Sequence, residues 1–317
     1  MEPTMSDQTE HYETATGPGR EAAGSSVAPP GADPVACSLD GVSVSYEGDS
    51  ILSNVTLSFP SRRCTVVMGF SGSGKSTLLK AAAGLVVPDH GSVSILGTDL
   101  VRSSDREIER LRSRTGFVFQ DGALWQNMTL RANIELPLRY HRPEMDREQI
   151  DRTVAARIAE LDAGQRLDLR PAQVSAGEQK VVSFIRALIV DPELVFLDEP
   201  TTSVDGERSD LMLRALRTLK ERGRTIIAVT HDPRLASQIA DNLVIVAHGR
   251  VIASGPMSDV VRSTDRDVVR VLTDVLSETA TYAGDILDLM DPSIAEPGRR
   301  REQAPSREDD VDGLFLS

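Results

Sequence analysis

The sequence predicts an α/β fold, and two observations carry that expectation. Between two polar tails, short apolar strand patterns alternate with apolar-periodic helix patterns. At one strand-to-helix junction lies Gly69-Phe70-Ser71-Gly72-Ser73-Gly74-Lys75-Ser76-Thr77, a glycine-rich loop that fits G-x-x-x-x-G-K-[ST].

Residues 1–34 read as a disordered arm. They hold Ser, Thr, Gly, Pro and acids, including Val27-Ala28-Pro29-Pro30-Gly31, and too little apolar surface to offset the entropy of ordering. Met1 and Met5 both qualify as starts. Val42, Val44 and Tyr46 alternate with Ser43 and Ser45, and Val55, Leu57 and Phe59 alternate with Thr56 and Ser58, the period of half-buried strands. A buried strand at 65–68 feeds the glycine loop, and further strands are expected at 93–96, 117–119, 194–197 and 225–229. Strands 243–247 and 251–253, joined through His248-Gly249, read as a hairpin. Helices are expected at 75–83, 147–161, 177–190, 206–222 and 233–240. Val268, Val271, Leu272, Val275 and Leu276 keep helical spacing, and Tyr282, Ile286 and Leu289 suggest a second amphipathic piece. The expected organisation is an arm at 1–34, a main domain at 35–256, a helical extension at 257–296 and a polar, disordered tail at 297–317.

Charge and composition narrow the function. With 35 basic and 48 acidic residues the net charge is −13, and no nucleic-acid partner is expected, because phosphate backbones need a basic face. No apolar run reaches the roughly 18 residues that span a bilayer, and the N-terminus lacks the basic-then-apolar pattern of a signal peptide. Two cysteines, Cys37 and Cys64, exclude a disulfide scaffold and point to a reducing compartment.

Three motifs carry chemistry. In the glycine loop, backbone N–H groups of 69–77 and the following helix N-terminus suit a phosphate, Lys75 suits the β- and γ-phosphates of a nucleotide, and Ser76 suits Mg²⁺. Leu194-Val195-Phe196-Leu197-Asp198-Glu199 is a buried strand ending in two acids; Asp198 suits the Mg²⁺ shell and Glu199 the polarisation of an attacking water. Val174-Ser175-Ala176-Gly177-Glu178-Gln179 opens an apolar-periodic helix, which makes Ser175 either an anion ligand or a plain N-cap.

That order of motifs resembles the ATP-binding subunit of ABC transporters, over roughly residues 36–275. The resemblance implies a P-loop NTPase with a RecA-like core, an antiparallel β subdomain and an inserted helical subdomain at about 121–190. It implies ATP and Mg²⁺ as cofactors. Tyr46 would stack on adenine, and Gly69, Ser71, Gly72, Ser73, Gly74, Lys75, Ser76 and Thr77 would bind phosphate. Gln120, after Phe117-Val118-Phe119, would sense Mg²⁺ and the water, and His231 in Val229-Thr230-His231-Asp232 would contact the γ-phosphate. Ser175, Gly177 and Glu178 would face a nucleotide held by a second copy, and Asp205 in Thr202-Ser203-Val204-Asp205 would join the two sites. Taken singly, Tyr46 is also an ordinary strand aromatic, Gln120 a solvated loop residue and His231 a helix cap. The signature run departs from Leu-Ser-Gly-Gly-Gln: Ala176 adds a methyl where a positive φ is a concern, and Glu178 brings an acid towards phosphate.

Gly122-Ala123-Leu124-Trp125 and Asn133-Ile134-Glu135-Leu136-Pro137-Leu138 resemble the ATPases of Mla and Mce lipid systems, as does 263–270. This implies a phospholipid or other hydrophobic substrate, a permease partner, and a peripheral place on the cytoplasmic face of the inner membrane; Trp125 is either a contact to that permease or a core or subdomain-packing residue. It also leaves room for an accessory subunit at the C-terminal extension. Competing readings are the ATPase of a polar-solute transporter, a non-transport ATPase of the same family and a regulatory nucleotide sensor.

Overall fold

The structure, a computed structural model, describes residues 34–277. The expected N-terminal arm, the Tyr282 piece and the polar tail lie outside the described residues.

Two sheets organise the described residues. The first is antiparallel, in the order β2-β1-β4-β5, built from β1 (Val35–Tyr46), β2 (Asp49–Pro60), β4 (His90–Ile95) and β5 (Thr98–Asp99). β1 and β2 are 12 residues each, longer than their alternating segments. The ladder shifts register between Leu39 and Val42 and again between Val42 and Val44. Each irregularity breaks the period-two pattern by which a strand is read from sequence.

The second sheet runs β10-β9-β3-β8-β7-β6. β3 (Cys64–Met68), β8 (Thr225–Val229) and β7 (Leu194–Asp198) are buried at every residue, as strands covered on both faces must be. β6 (Thr115–Val118) extends it, and β9 (Asn242–Ala247) with β10 (Arg250–Pro256) forms the expected hairpin, with His248 and Gly249 both at positive φ. The parallel pairing sets Val67 of β3 against Val229 of β8, and Val229 against Asp198 of β7. The C-terminal ends of three central strands are therefore level, and the loops leaving them meet, the usual place for a ligand in an open α/β sheet.

Helices α1 (Lys75–Ala82), α6 (Gly206–Glu221) and α7 (Pro233–Ile239) follow central strands as expected. The 121–190 region contains α3 (Leu130–His141), α4 (Arg147–Glu160) and α5 (Ala176–Leu188). α3 and the short charged α2 (Asp105–Arg112) have no counterpart in the sequence reading. α2 buries only Leu111, and α3 carries Pro137 inside it, which reads as a breaker. Thr129 starts α3 by accepting the Ala132 N–H at 3.1 Å. α8 (Met257–Val260) and α9 (Arg266–Ser277) complete the described chain. Val268, Val271 and Leu272 of α9 are buried in the same core cluster as Val66 and Met68 of β3. Among the described residues no helix is long and apolar enough to cross a membrane.

Candidate active site

The loop between β3 and α1 is shaped by sterics before any ligand is considered. A side chain on Gly69 would put its Cβ 2.1 Å from the Val246 carbonyl oxygen, and Gly74 sits at φ 100° as it enters α1. The Lys75 ammonium donates to the carbonyls of Gly69 and Phe70, both at 2.8 Å, so the lysine lies along its own loop. A cleft of about 790 Å³ opens above it, lined by the loop, Ile51, Gln120, Glu199, Thr202, Val229, His231 and Asp274.

Ser76 donates from Oγ to Asp198 Oδ1 at 2.9 Å. Asp198 is fully buried, and its Oδ2 has no hydrogen-bond partner. Burial pushes its pKa up, against the opposing effects of the Ser76 bond and of Lys80, Lys180 and Lys75. An orphaned buried carboxylate oxygen next to a hydroxyl is a set of hard donors that fits a divalent cation. Among the described residues no group of three His, Cys, Asp or Glu could cage a metal. A cation here would therefore complete its shell with phosphate oxygens and water, the habit of Mg²⁺.

Glu199 has φ 48°, a backbone conformation that L-residues seldom adopt and that is concentrated at functional sites. It is held there by its own N–H, which donates to Val229 O at 2.9 Å. Its Oε2 accepts from Thr202 Oγ1 at 3.2 Å and from the His231 N–H at 3.3 Å, and its Oε1 lies 3.4 Å from His231 Nε2. Burial raises its pKa, partly offset by those bonds and by Lys75.

The structure thus gathers Lys75, Ser76, Thr77, Gln120, Glu199 and His231 on the lining of one cleft, with Asp198 buried behind Ser76. It does not bring Tyr46, Ser175, Gly177 or Glu178 to that cleft's lining. Tyr46 ends β1, 69% exposed. Ser175 caps α5 reciprocally with Glu178: the Glu178 N–H donates to Ser175 Oγ at 3.2 Å, while the Ser175 N–H and hydroxyl donate to Glu178 Oε2 at 3.0 and 2.9 Å. Glu178 is thereby turned back on its own helix, and its pKa is held down chiefly by the Ser175 N–H. Ala176 is not among the positive-φ residues; it is the first residue of α5, so its methyl is accommodated. Asp205 caps α6 by accepting the Arg208 N–H at 2.9 Å.

Three residues make contacts that the sequence reading assigned to none of them. Thr202 braces Glu199, and Phe70 engages Lys75 through its carbonyl. Lys180, only 4% exposed on the apolar face of α5, donates to the carbonyl of Phe119 at 3.0 Å and to that of Gln120. A lysine at an apolar-periodic position was the available signal for the last.

A second feature lies beside the Gln120 loop. Asn133, fully buried on α3, accepts the Trp125 N–H at 2.8 Å and donates to the Trp125 carbonyl at 3.1 Å. Trp125 is left 57% exposed at a groove of about 370 Å³ that Phe117, Phe119, Leu136 and Pro137 also line.

The cleft, its lysine and its paired acids make sense of the relatives. A family model described as ABC transporter matches residues 52–202. The nickel import ATP-binding protein NikO of Rhodobacter capsulatus is 37% identical over 235 residues, covering 71% of this chain and 91% of NikO. The chain belongs to the ABC transporter ATP-binding family. It is 32% identical over 237 residues to the probable ribonucleotide transport ATP-binding protein mkl of Mycobacterium tuberculosis, covering 74% of this chain and 66% of mkl, just under two thirds of that relative's length. Among solved structures it resembles the dimeric bacterial ABC transporter cassette MJ0796, with a TM-score of 0.65 and 29% identity over 69% of this chain and 98% of that one. MJ0796 has also been solved as a dimer in a post-hydrolysis state with ADP and Pi. The fold is accordingly that of a P-loop NTPase cassette, and ATP is the nucleotide its loop is built for.

Proposed function

We propose that this chain is the ATP-hydrolysing subunit of an ABC transporter, and that two copies close around two ATP molecules to drive a membrane permease. The supporting observation is the array Ser76–Asp198–Glu199–His231 at the mouth of the phosphate loop. In this reading Lys75 gives up the Gly69 and Phe70 carbonyls for phosphate oxygens, and the N–H groups of 69–77 hold the rest of the phosphate chain. Ser76, Asp198 and Gln120 would hold Mg²⁺, which supplies charge neutralisation on the phosphates when bound. Glu199 accepts a proton from the attacking water, and His231 keeps its carboxylate oriented. Tyr46, exposed on the β1–β2 hairpin, stacks on adenine. Ser175 and Gly177 serve the nucleotide of the second copy, while Glu178 braces Ser175.

Glu199→Gln tests the chemistry. ATP binding should persist and turnover should fall about 10²–10⁴-fold, the usual contribution of a positioned base. Unchanged turnover in this variant would return Glu199 to a structural role.

The substrate we infer is a phospholipid or another hydrophobic molecule, supported by the resemblance of Gly122-Ala123-Leu124-Trp125 and of 133–138 to the ATPases of Mla and Mce lipid systems. A polar solute is the second reading, favoured by the names of the two relatives above, which concern nickel and ribonucleotides. The permease that co-purifies, reconstituted in vesicles with labelled lipid or with the polar solute, separates them. Attachment to the cytoplasmic face of the membrane would run through that permease, seated at the Trp125 groove, because a chain of charge −13 is repelled by an anionic bilayer. The C-terminal extension offers a place for an accessory subunit.

A further inference from the structure

α9 reaches back to the phosphate loop and touches it with one face. The Arg270 guanidinium lies 5.5 Å from the centroid of the Phe70 ring, a cation–π distance. The same Phe70 accepts the Lys75 ammonium at its carbonyl. One helical turn beyond Arg270, on the same face, Asp274 lines the nucleotide cleft. α9 is fixed in this position from its other side by Val268, Val271 and Leu272, all buried in the core. The cleft therefore contains a carboxylate that neither phosphate binding nor hydrolysis requires, carried on an element outside the 52–202 region of the family match.

We infer that Asp274 is a specificity-determining residue of the nucleotide site: its carboxylate disfavours the extra negative charge of a triphosphate and so sets the preference between ATP and ADP in the single chain. The inference rests on the nucleotide reading given above. Two like charges in a shared, partly solvated cleft repel weakly, and the difference between ATP and ADP is one charge at the end farthest from the base.

The experiment measures ATP and ADP affinities of the full chain, with Lys75→Ala as the control for the nucleotide reading. Asp274→Asn should shift the ATP-to-ADP preference towards ATP by roughly two- to fivefold, the size expected of a solvated charge pair. That shift should shrink as salt rises from about 0.01 M to about 1 M, across which the screening length falls from roughly 30 Å to 3 Å. Asp274→Glu should keep the wild-type preference. An unchanged preference in Asp274→Asn, or a shift indifferent to salt, overturns the inference. Failure of the wild-type chain to bind ATP, or binding undiminished by Lys75→Ala, would instead overturn the nucleotide reading itself.

Discussion

Lys180 sits where an ammonium group is rarely tolerated, and its desolvation lowers its pKa. What holds it is the pair of carbonyls at Phe119 and Gln120, which it ties to α5. Lys180→Met would leave two acceptors without their donor, at roughly 1–3 kcal/mol for each that stays buried. Thermal unfolding should fall by several degrees, and amide exchange at 119–122 should rise; a variant as stable as wild type would show that the loop does not need the tie. Glu178 gives a pH-dependent counterpart. Its native pKa is depressed, so the stability it contributes is present above its ordinary value of 4.5 and is lost as pH falls through the native value. Glu178→Ala should cost about 1 kcal/mol at neutral pH, a typical cap loss, and the gap from wild type should close in acid. Denaturant titrations at pH 7 and pH 3 check it. At this scale the phosphate loop, Asp198, Glu199 and His231 were legible because each stands in a fixed order of motifs. Thr202 and Phe70 were not, because they act through one hydroxyl and one carbonyl, and any sequence offers many of both.

Between elements, the close approach of α5 to the loop after β7 rests on one missing side chain. A Cβ on Gly177 would lie 2.6 Å from the Ser203 carbonyl oxygen and 3.5 Å from Val204 Cα, backbone atoms that cannot swing aside. Gly177→Ala should therefore destabilise the apo chain by about 1–3 kcal/mol through overpacking, separately from any loss at a nucleotide. A wild-type melting temperature together with lost turnover would confine Gly177 to ligand contact. The buried parallel strands were legible from their short apolar runs, and the β9–β10 hairpin from its turn. The outer strands were clipped because bulges interrupt their alternation, and α3 was lost because Pro137 breaks the pattern while Thr129 and the Asn133 clamp restore the helix.

For the whole molecule, α5's N-terminus lies off the lining of the cleft that holds Lys75, so a complete site needs a second copy if Ser175 is to reach a phosphate. Subunits carrying Lys75→Ala mixed with subunits carrying Ser175→Arg should form heterodimers with one intact and one doubly damaged site. Recovery of ATPase activity that neither variant shows alone is the expected outcome; proven heterodimers without recovery would count against assembly in trans. At the proposed permease contact, Trp125→Ala should weaken attachment by about 2 kcal/mol or more, roughly thirtyfold in affinity, while the isolated subunit's ATP affinity stays as it was. Co-fractionation with the cognate permease and nucleotide binding, measured side by side, decide it.

Trp125 is also the sole indole in 317 residues, held by its backbone and open to water at its ring. Tryptophan fluorescence of this chain therefore has a single address. Excited at the red edge of the indole absorption band, emission should sit at the long-wavelength end while the groove is bare and move to shorter wavelength when an apolar helix covers the ring. Wild-type protein, with no dye attached and no residue changed, would then report the arrival and departure of a tryptophan-free helix from the proposed permease in real time.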